Sequence, residues 1–232
     1  LRHHVLMDDV RTLGRAQEEG FEIALRRRGD GAEAIDELIV NGAFAMDSAE
    51  TRSEVLLADS VGPNPGNVLV GGLGLGYTTQ ALLDMGATNV DVVELSAALI
   101  SWAHEGLTST LKSLATDPRV RLHHGDIADV VGAQAALPGV FGPWDAICLD
   151  VDNGPDFLIH HQNSRVYEPD TLASALNHLV PGGRLAIWSE GPSNQLWYDL
   201  LHLDGHATER LIPLKRGGRD LDYAIYLVTK PG

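Results

Sequence analysis

Two hydrophobic patterns divide the chain. In the first, apolar and polar positions alternate in short runs. Phe21-Glu22-Ile23-Ala24-Leu25 alternates, a charged turn follows at Gly29–Gly31, and Ala34–Val40 alternates again. Asn41-Gly42 favours a hairpin turn, so Ala43-Phe44-Ala45-Met46 can return as a third strand. This predicts a small antiparallel β-meander. Ahead of it, Val5, Leu6, Val10 and Leu13 suggest that residues 1–20 form an amphipathic helix or a loose arm. Thr51–Ser60 predicts a helix with Val55, Leu56 and Leu57 inward, ended by Pro63-Asn64-Pro65-Gly66.

The second pattern consists of compact apolar runs separated by helical periodicity. Val68–Val70, Val90–Val93, Val120–Leu122, Trp144–Leu149 and Leu185–Trp188 read as strands buried on both faces. Between them, Tyr77–Met85, Ala97–Leu114 (capped by Ser96), Ala128–Ala136 and Pro169–Leu179 read as helices; Asn194–Leu203 is another. Pro181-Gly182-Gly183 is expected to stop the helix before the fifth of these strands. Ala207–Leu214 and Tyr223–Thr229 are joined by a stretch too short for a crossover helix, so they must pair antiparallel. The fold class is therefore α/β: a Rossmann-like, seven-stranded, mostly parallel sheet with a reversed C-terminal hairpin, preceded by the meander. The expected division is residues 1–60 for the N-terminal segment and 61–232 for the Rossmann-like domain.

Candidate chemistry concentrates at the carboxyl ends of the parallel strands, where such sheets bind ligands. Val68–Val70 runs into Gly71-Gly72-Leu73-Gly74-Leu75-Gly76, then a helix, then a second strand ending at Glu94. Glycines permit a tight turn and close backbone approach to a ligand. An acid roughly 20 residues beyond such a turn can accept from both hydroxyls of a ribose. Asp126, after the third strand, can accept from an exocyclic adenine amine with Ile127 packed on the ring, or can simply cap a helix. Asp150 follows the fourth strand and opens Asp150-Val151-Asp152-Asn153-Gly154-Pro155. That cluster can bind a cation, orient an amine or take its proton, although Asp, Asn, Gly and Pro also favour turns for local reasons. Gln162 and Tyr167 beyond it, and Trp188 and Glu190 after the fifth strand, are further candidates for the acceptor pocket.

Composition narrows the classes. The chain of 232 residues carries 32 acidic and 17 basic residues, a net charge of −15, which argues against a nucleic-acid partner and favours a cationic small molecule. Six of the ten histidines form adjacent pairs, which on a strand point to opposite faces, and no zinc-type spacing occurs, so no metal is expected. Cys148 is the lone cysteine; no run reaches membrane-span length, and the first twenty residues lack the apolar centre of a secretory signal. A cytoplasmic protein with no membrane partner is expected, with the meander edge available for a homodimer.

On these motifs, Asn67–Val228 resembles the class I S-adenosylmethionine-dependent methyltransferase fold, and more narrowly its spermidine synthase (aminopropyltransferase) branch. The resemblance rests on the double glycine Gly71-Gly72, on Leu38–Gly42 with Ser53-Glu54 as the family's lid segment, and on Asp150–Pro155 as its acid-rich catalytic loop. It implies a transferase whose donor is S-adenosylmethionine or its decarboxylated form, acting on a small amine. Gly72, Gly74 and Gly76 would pass beneath the donor, Glu94 and Leu95 would meet ribose, and Asp126 and Ile127 would meet adenine. Asp150 would be the base, and Asp152, Asn153, Gln162 and Tyr167 would shape the acceptor site. Three positions depart from the family pattern. Gly74 stands where it usually carries an aspartate, Arg52 where its lid has a tyrosine, and Asn153 where its loop has a second acid. A small-molecule methyltransferase and a non-catalytic binding or assembly subunit are the alternatives.

Overall fold

A computed structural model describes residues 9–132, 137–151, 154–156, 158, 161–216 and 219–232, without the side chains of 161–162 and 214–221. Four strands come first: β1 (Val10–Glu18), β2 (Phe21–Arg28), β3 (Ile35–Val40) and β4 (Ala43–Asp47). They form one antiparallel sheet in chain order. The expected meander is there, with one correction: residues 10–18 are a strand and not a helix or loose arm. Gly20, at φ +85°, turns the chain so that β1 pairs with β2 along its length, Glu18 opposite Phe21 and Val10 opposite Arg28. Val10 is exposed. The apolar spacing that suggests a helix is overridden by this pairing.

Helix α1 (Arg52–Ser60) buries Leu57 and Ala58, and also Ser53 and Glu54, whereas Val55 points outward at 47% exposure. The inward face is thus rotated from the one expected, and a carboxylic acid lies on it.

The second sheet contains β5 (Asn67–Gly71), β6 (Asn89–Glu94), β7 (Val120–His124), β8 (Trp144–Leu149), β9 (Leu179–Ser189), β10 (His206–Arg216) and β11 (Arg219–Thr229). Its strand order is β10-β11-β9-β8-β5-β6-β7. All neighbours from β9 to β7 are parallel, while β11 runs antiparallel to both β9 and β10. Successive strands step outward from β5 to β7, then the chain returns to β8 on the other side of β5. The crevice above β5 and β8 is therefore the topological switch point.

Alternation along the buried strands sends Val68, Val70, Val90, Val92 and Cys148 to one face. There α1, α2 (Tyr77–Asp84), α3 (Ala97–Glu105) and α4 (Ser109–Thr116) cover them, together with Phe21, Ile23, Leu25 and Leu38 of the first sheet. The other face, with Leu69, Ile147, Leu149 and Ile187, is covered by α5 (Ile127–Val131), α6 (Pro169–Asn177) and α7 (Asn194–Leu201). Where one helix was expected over 97–114 there are two. Gly106, left-handed at φ +74°, closes α3, and the Thr108 hydroxyl caps α4 by accepting from Leu111 N–H at 3.2 Å. Strand β9 also begins earlier than expected. Pro181-Gly182-Gly183 lies inside it, where an irregularity shifts the register from Trp144↔Leu179 to Ala146↔Arg184.

Candidate functional site

The glycine turn leaves β5 at the switch point. Gly72 and Gly74 have φ of +91° and +51°, and Gly76, at +92°, is the N-cap residue of α2. Gly72 has a second reason to lack a side chain: a Cβ there would collide with the carbonyl oxygen of Asp150. The turn therefore packs directly beneath the end of β8.

Around it lies a cavity of about 170 Å³. Gly72, Gly74, Glu94, Leu95, Asp126, Ile127 and Asp150 all line it, so most of the sequence-derived candidates converge. Gly76 lies behind the turn, where a Cβ would meet Leu114. The Tyr167 hydroxyl donates to the carbonyl of Val151 at 2.8 Å and is buried beside the cavity, while Asn163, one turn earlier, lines it. Trp188 is on the wall, T-stacked with Tyr223 at 5.1 Å, whereas Glu190 is not. Asp152, Asn153 and the side chain of Gln162 lie outside the described residues.

The acids differ in what holds them. The Glu94 carboxylate turns back to the glycine floor, accepting from Leu73 N–H at 2.7 Å and Ser96 N–H at 2.8 Å. Burial pushes its proton affinity up, and those two amides partly oppose the shift. Asp126 both caps and faces the cavity: Oδ1 accepts from Ala128 N–H at 2.8 Å, and Oδ2 accepts from Arg165 Nη1 at 3.0 Å. Asp150 is raised to about 6 by burial, against a hydrogen bond of 2.5 Å from the Thr78 hydroxyl. The same burial, with Asp150 nearby, drives the Cys148 thiol upward and leaves it inert.

Two side chains central to the cavity were not among the sequence-derived site residues. Glu54 of α1 is raised to about 7, first by burial and then by the charge of Asp150, against a 2.6 Å hydrogen bond from Ser53. Glu54 lies in the first turn of α1, and although Ser53-Glu54 marks the resembled lid segment, nothing in the sequence signals the raised proton affinity. Met46 of β4 reaches the glycine turn, its sulfur accepting from Leu75 N–H at 3.2 Å. The first sheet thus roofs the crevice, with Phe21, Ile23, Leu38 and Val40 supplying apolar wall. Among the described residues the lining holds Glu50, Glu54, Glu94, Asp126 and Asp150 and no cationic side chain. No group of His, Cys, Asp or Glu among them is arranged to hold a metal ion, and none of their helices is long and apolar enough to cross a membrane.

The fold is shared with solved transferase structures. A spermidine synthase in complex with the transition-state analogue AdoDATO is similar over 95% of this chain and 74% of its own, with a TM-score of 0.75 and 17% identity. The spermidine synthase from Thermotoga maritima matches over 95% and 73%, at a TM-score of 0.73 and 16% identity. An S-adenosylmethionine-dependent O-methyltransferase from Thermotoga maritima covers 78% of this chain and 65% of its own, at 0.52 and 16%. No family model and no curated protein sequence matches the chain. At these identities what is shared is the fold, a spermidine synthase-like form of the class I methyltransferase fold that includes the N-terminal sheet.

Proposed function

We propose that the chain is a transferase that uses a sulfonium nucleoside as donor and moves an aminopropyl or related alkyl group to a small amine. The observation that carries the reading is the pairing of Asp150 with Glu54 on the same cavity as the Glu94–glycine floor, with no cation in the described lining. An amine acceptor is drawn to such a site, and a donor without a carboxylate brings no anion of its own against these acids. Glu94, turned to the glycine floor, is suited to the ribose hydroxyls, and Asp126, on the cavity wall, to the adenine amine. Asp152, Asn153, Gln162 and Tyr167 remain proposals for the acceptor side.

The reaction asks little of the protein beyond position. The amine nitrogen attacks the carbon next to the sulfonium, the C–N bond forms, and the C–S bond breaks with its electron pair going to sulfur. The products are a neutral thioether nucleoside and an alkylated ammonium. Attack requires a neutral amine, so a carboxylate must accept a proton; Asp150, with an affinity near neutrality, is matched to that task. Thr78 holds its Oδ2 in place.

One observation favours a second reading, methyl transfer from S-adenosylmethionine. Leu75 N–H, at the start of a helix without a side-chain cap, is bonded only to a thioether, a weak acceptor that a donor carboxylate could displace. Calorimetry with S-adenosylmethionine, its decarboxylated form and nicotinamide dinucleotides separates these readings. Tighter binding of the decarboxylated donor is expected, and tighter binding of the carboxylated one would favour methyl transfer. Asp150→Asn is expected to abolish turnover with nucleoside affinity nearly unchanged; wild-type turnover in that variant would remove Asp150 from the mechanism.

A further inference from the structure

We infer that Arg165 is a positioning residue: it fixes the acid at the nucleobase end of the cavity and ties that end to the wall beside the proposed base. This rests on the nucleoside reading above and adds a residue to it. Arg165 belongs to a 3₁₀ segment, His161–Tyr167, that arrives from beyond the acid cluster. Its guanidinium bridges two carboxylates on the start of α5, Nη1 to Asp126 at 3.0 Å and Nη2 to Asp129 at 2.6 Å.

The bridge matters because of how Asp126 is already committed. Its Oδ1 is held by the α5 amide of Ala128, and Oδ2, which accepts from Arg165, keeps a second lone pair whose direction that guanidinium sets. A carboxylate pinned between an amide and a guanidinium is an acceptor only. It receives a purine 6-amino group and repels a 6-oxo group at the same place. The forked geometry, with one nitrogen on each acid, is one that a lysine cannot reproduce.

The same short segment reaches the other end of the cavity. Asn163 lines it, and the Tyr167 hydroxyl holds the carbonyl of Val151, the residue next to Asp150. A base held by Asp126 therefore rests against a segment that also supports the backbone following Asp150. Arg165 is half-exposed, so its loss opens no core. Its expected cost falls on recognition at one end and on the acceptor wall at the other.

The test compares wild type, Arg165→Ala, Arg165→Lys and Asp129→Asn by calorimetry with 5′-methylthioadenosine and its inosine counterpart, with thermal unfolding alongside. Arg165→Ala is expected to weaken the adenosine thioether about tenfold, the scale of a compromised charged hydrogen bond. The inosine compound should change less, so that discrimination between the two bases narrows. Arg165→Lys should not restore it, and Asp129→Asn, which frees only the outer arm of the fork, should give a smaller loss of about threefold. A purely structural role would lower the unfolding temperature and leave the ratio of the two affinities unmoved. Wild-type affinity and ratio in Arg165→Ala, or full rescue by lysine, overturn the inference alone. If wild type binds neither thioether, the nucleoside reading fails and this falls with it. Should Arg165→Ala not fold, Asp129→Asn decides: an unchanged affinity there overturns the inference.

Discussion

Glu54 and Asp150 share one crevice and cannot both be ionised cheaply. Burial comes first for each, and Glu54 also feels the charge of Asp150, which lifts it from 4.5 to about 7. The consequence for stability has a definite sign. A carboxyl raised in the folded state keeps a proton that the unfolded chain gives up, so its contribution is fully present below pH 4.5 and is lost as pH rises through 7. Glu54→Gln keeps an acceptor for the Ser53 hydroxyl and removes the ionisation. It should stabilise the protein by about 3 kcal/mol at pH 8, the rise from 4.5 to about 7 counting about 1.4 kcal/mol per pKa unit. Near pH 4 the two proteins should unfold at the same denaturant concentration. Urea titrations at both pH values test this, and an equal difference at the two would mean that Glu54 is not the group being titrated. None of this was legible at Glu54 itself, because its acidity is set by residues distant in the chain. Glu94, Asp126 and Asp150 were legible because each ends a strand that the apolar runs already mark, and strand ends meet at the switch point whatever the side chains are.

Elements were readable where burial is local and misread where pairing decides. The parallel strands and the terminal hairpin announce themselves as apolar runs and as a linker too short to cross over. β1 does not, since its residues 10–18 carry no strict alternation and become a strand only through the partner that Gly20 brings alongside. The break between α3 and α4 was hidden because Gly106 and Thr108 sit within a continuous helical period, and only the left-handed turn and the hydroxyl cap reveal the stop. The roof strand β4 is the element whose function could least be read. It sets Met46 over Gly74, a departure from the aspartate usual in the resembled family, and a Cβ on Gly74 would stand 2.7 Å from the Met46 sulfur. Gly74→Ala thus meets two costs, a left-handed φ of +51° and displacement of that thioether. The first alone costs about 1–2 kcal/mol. The variant should unfold earlier by at least that amount. In Gly74→Ala combined with Met46→Ala, the backbone part of the penalty should persist and the steric part should not, so a double-mutant cycle in unfolding free energy separates them. Additive losses would show that β4 does not press on the turn.

For the whole molecule, charge and cavity point the same way. The chain carries a net −15, and among the described lining carboxylates of the crevice Asp126 alone is ion-paired, to Arg165, which leaves Glu50, Glu54, Glu94 and Asp150 without a cationic partner. A field of one sign focused into a cleft raises the local concentration of an oppositely charged ligand, and dissolved salt screens it over about 8–10 Å at physiological strength. An ammonium-bearing acceptor should therefore lose kcat/KM as ionic strength rises. The expected loss is on the order of threefold between low salt and 0.3 M, carried by KM rather than kcat because the field acts before chemistry. The donor supplies an internal comparison: a decarboxylated donor, cationic at both sulfonium and amine, should show the same dependence. S-adenosylmethionine, whose carboxylate offsets one of those charges, should show less. Steady-state rates with each substrate varied against potassium chloride read this directly. A flat profile for the acceptor would remove the cationic amine from the proposal while leaving the proposed nucleoside floor untouched, because hydrogen bonds made there at contact distance would be ones that salt barely reaches.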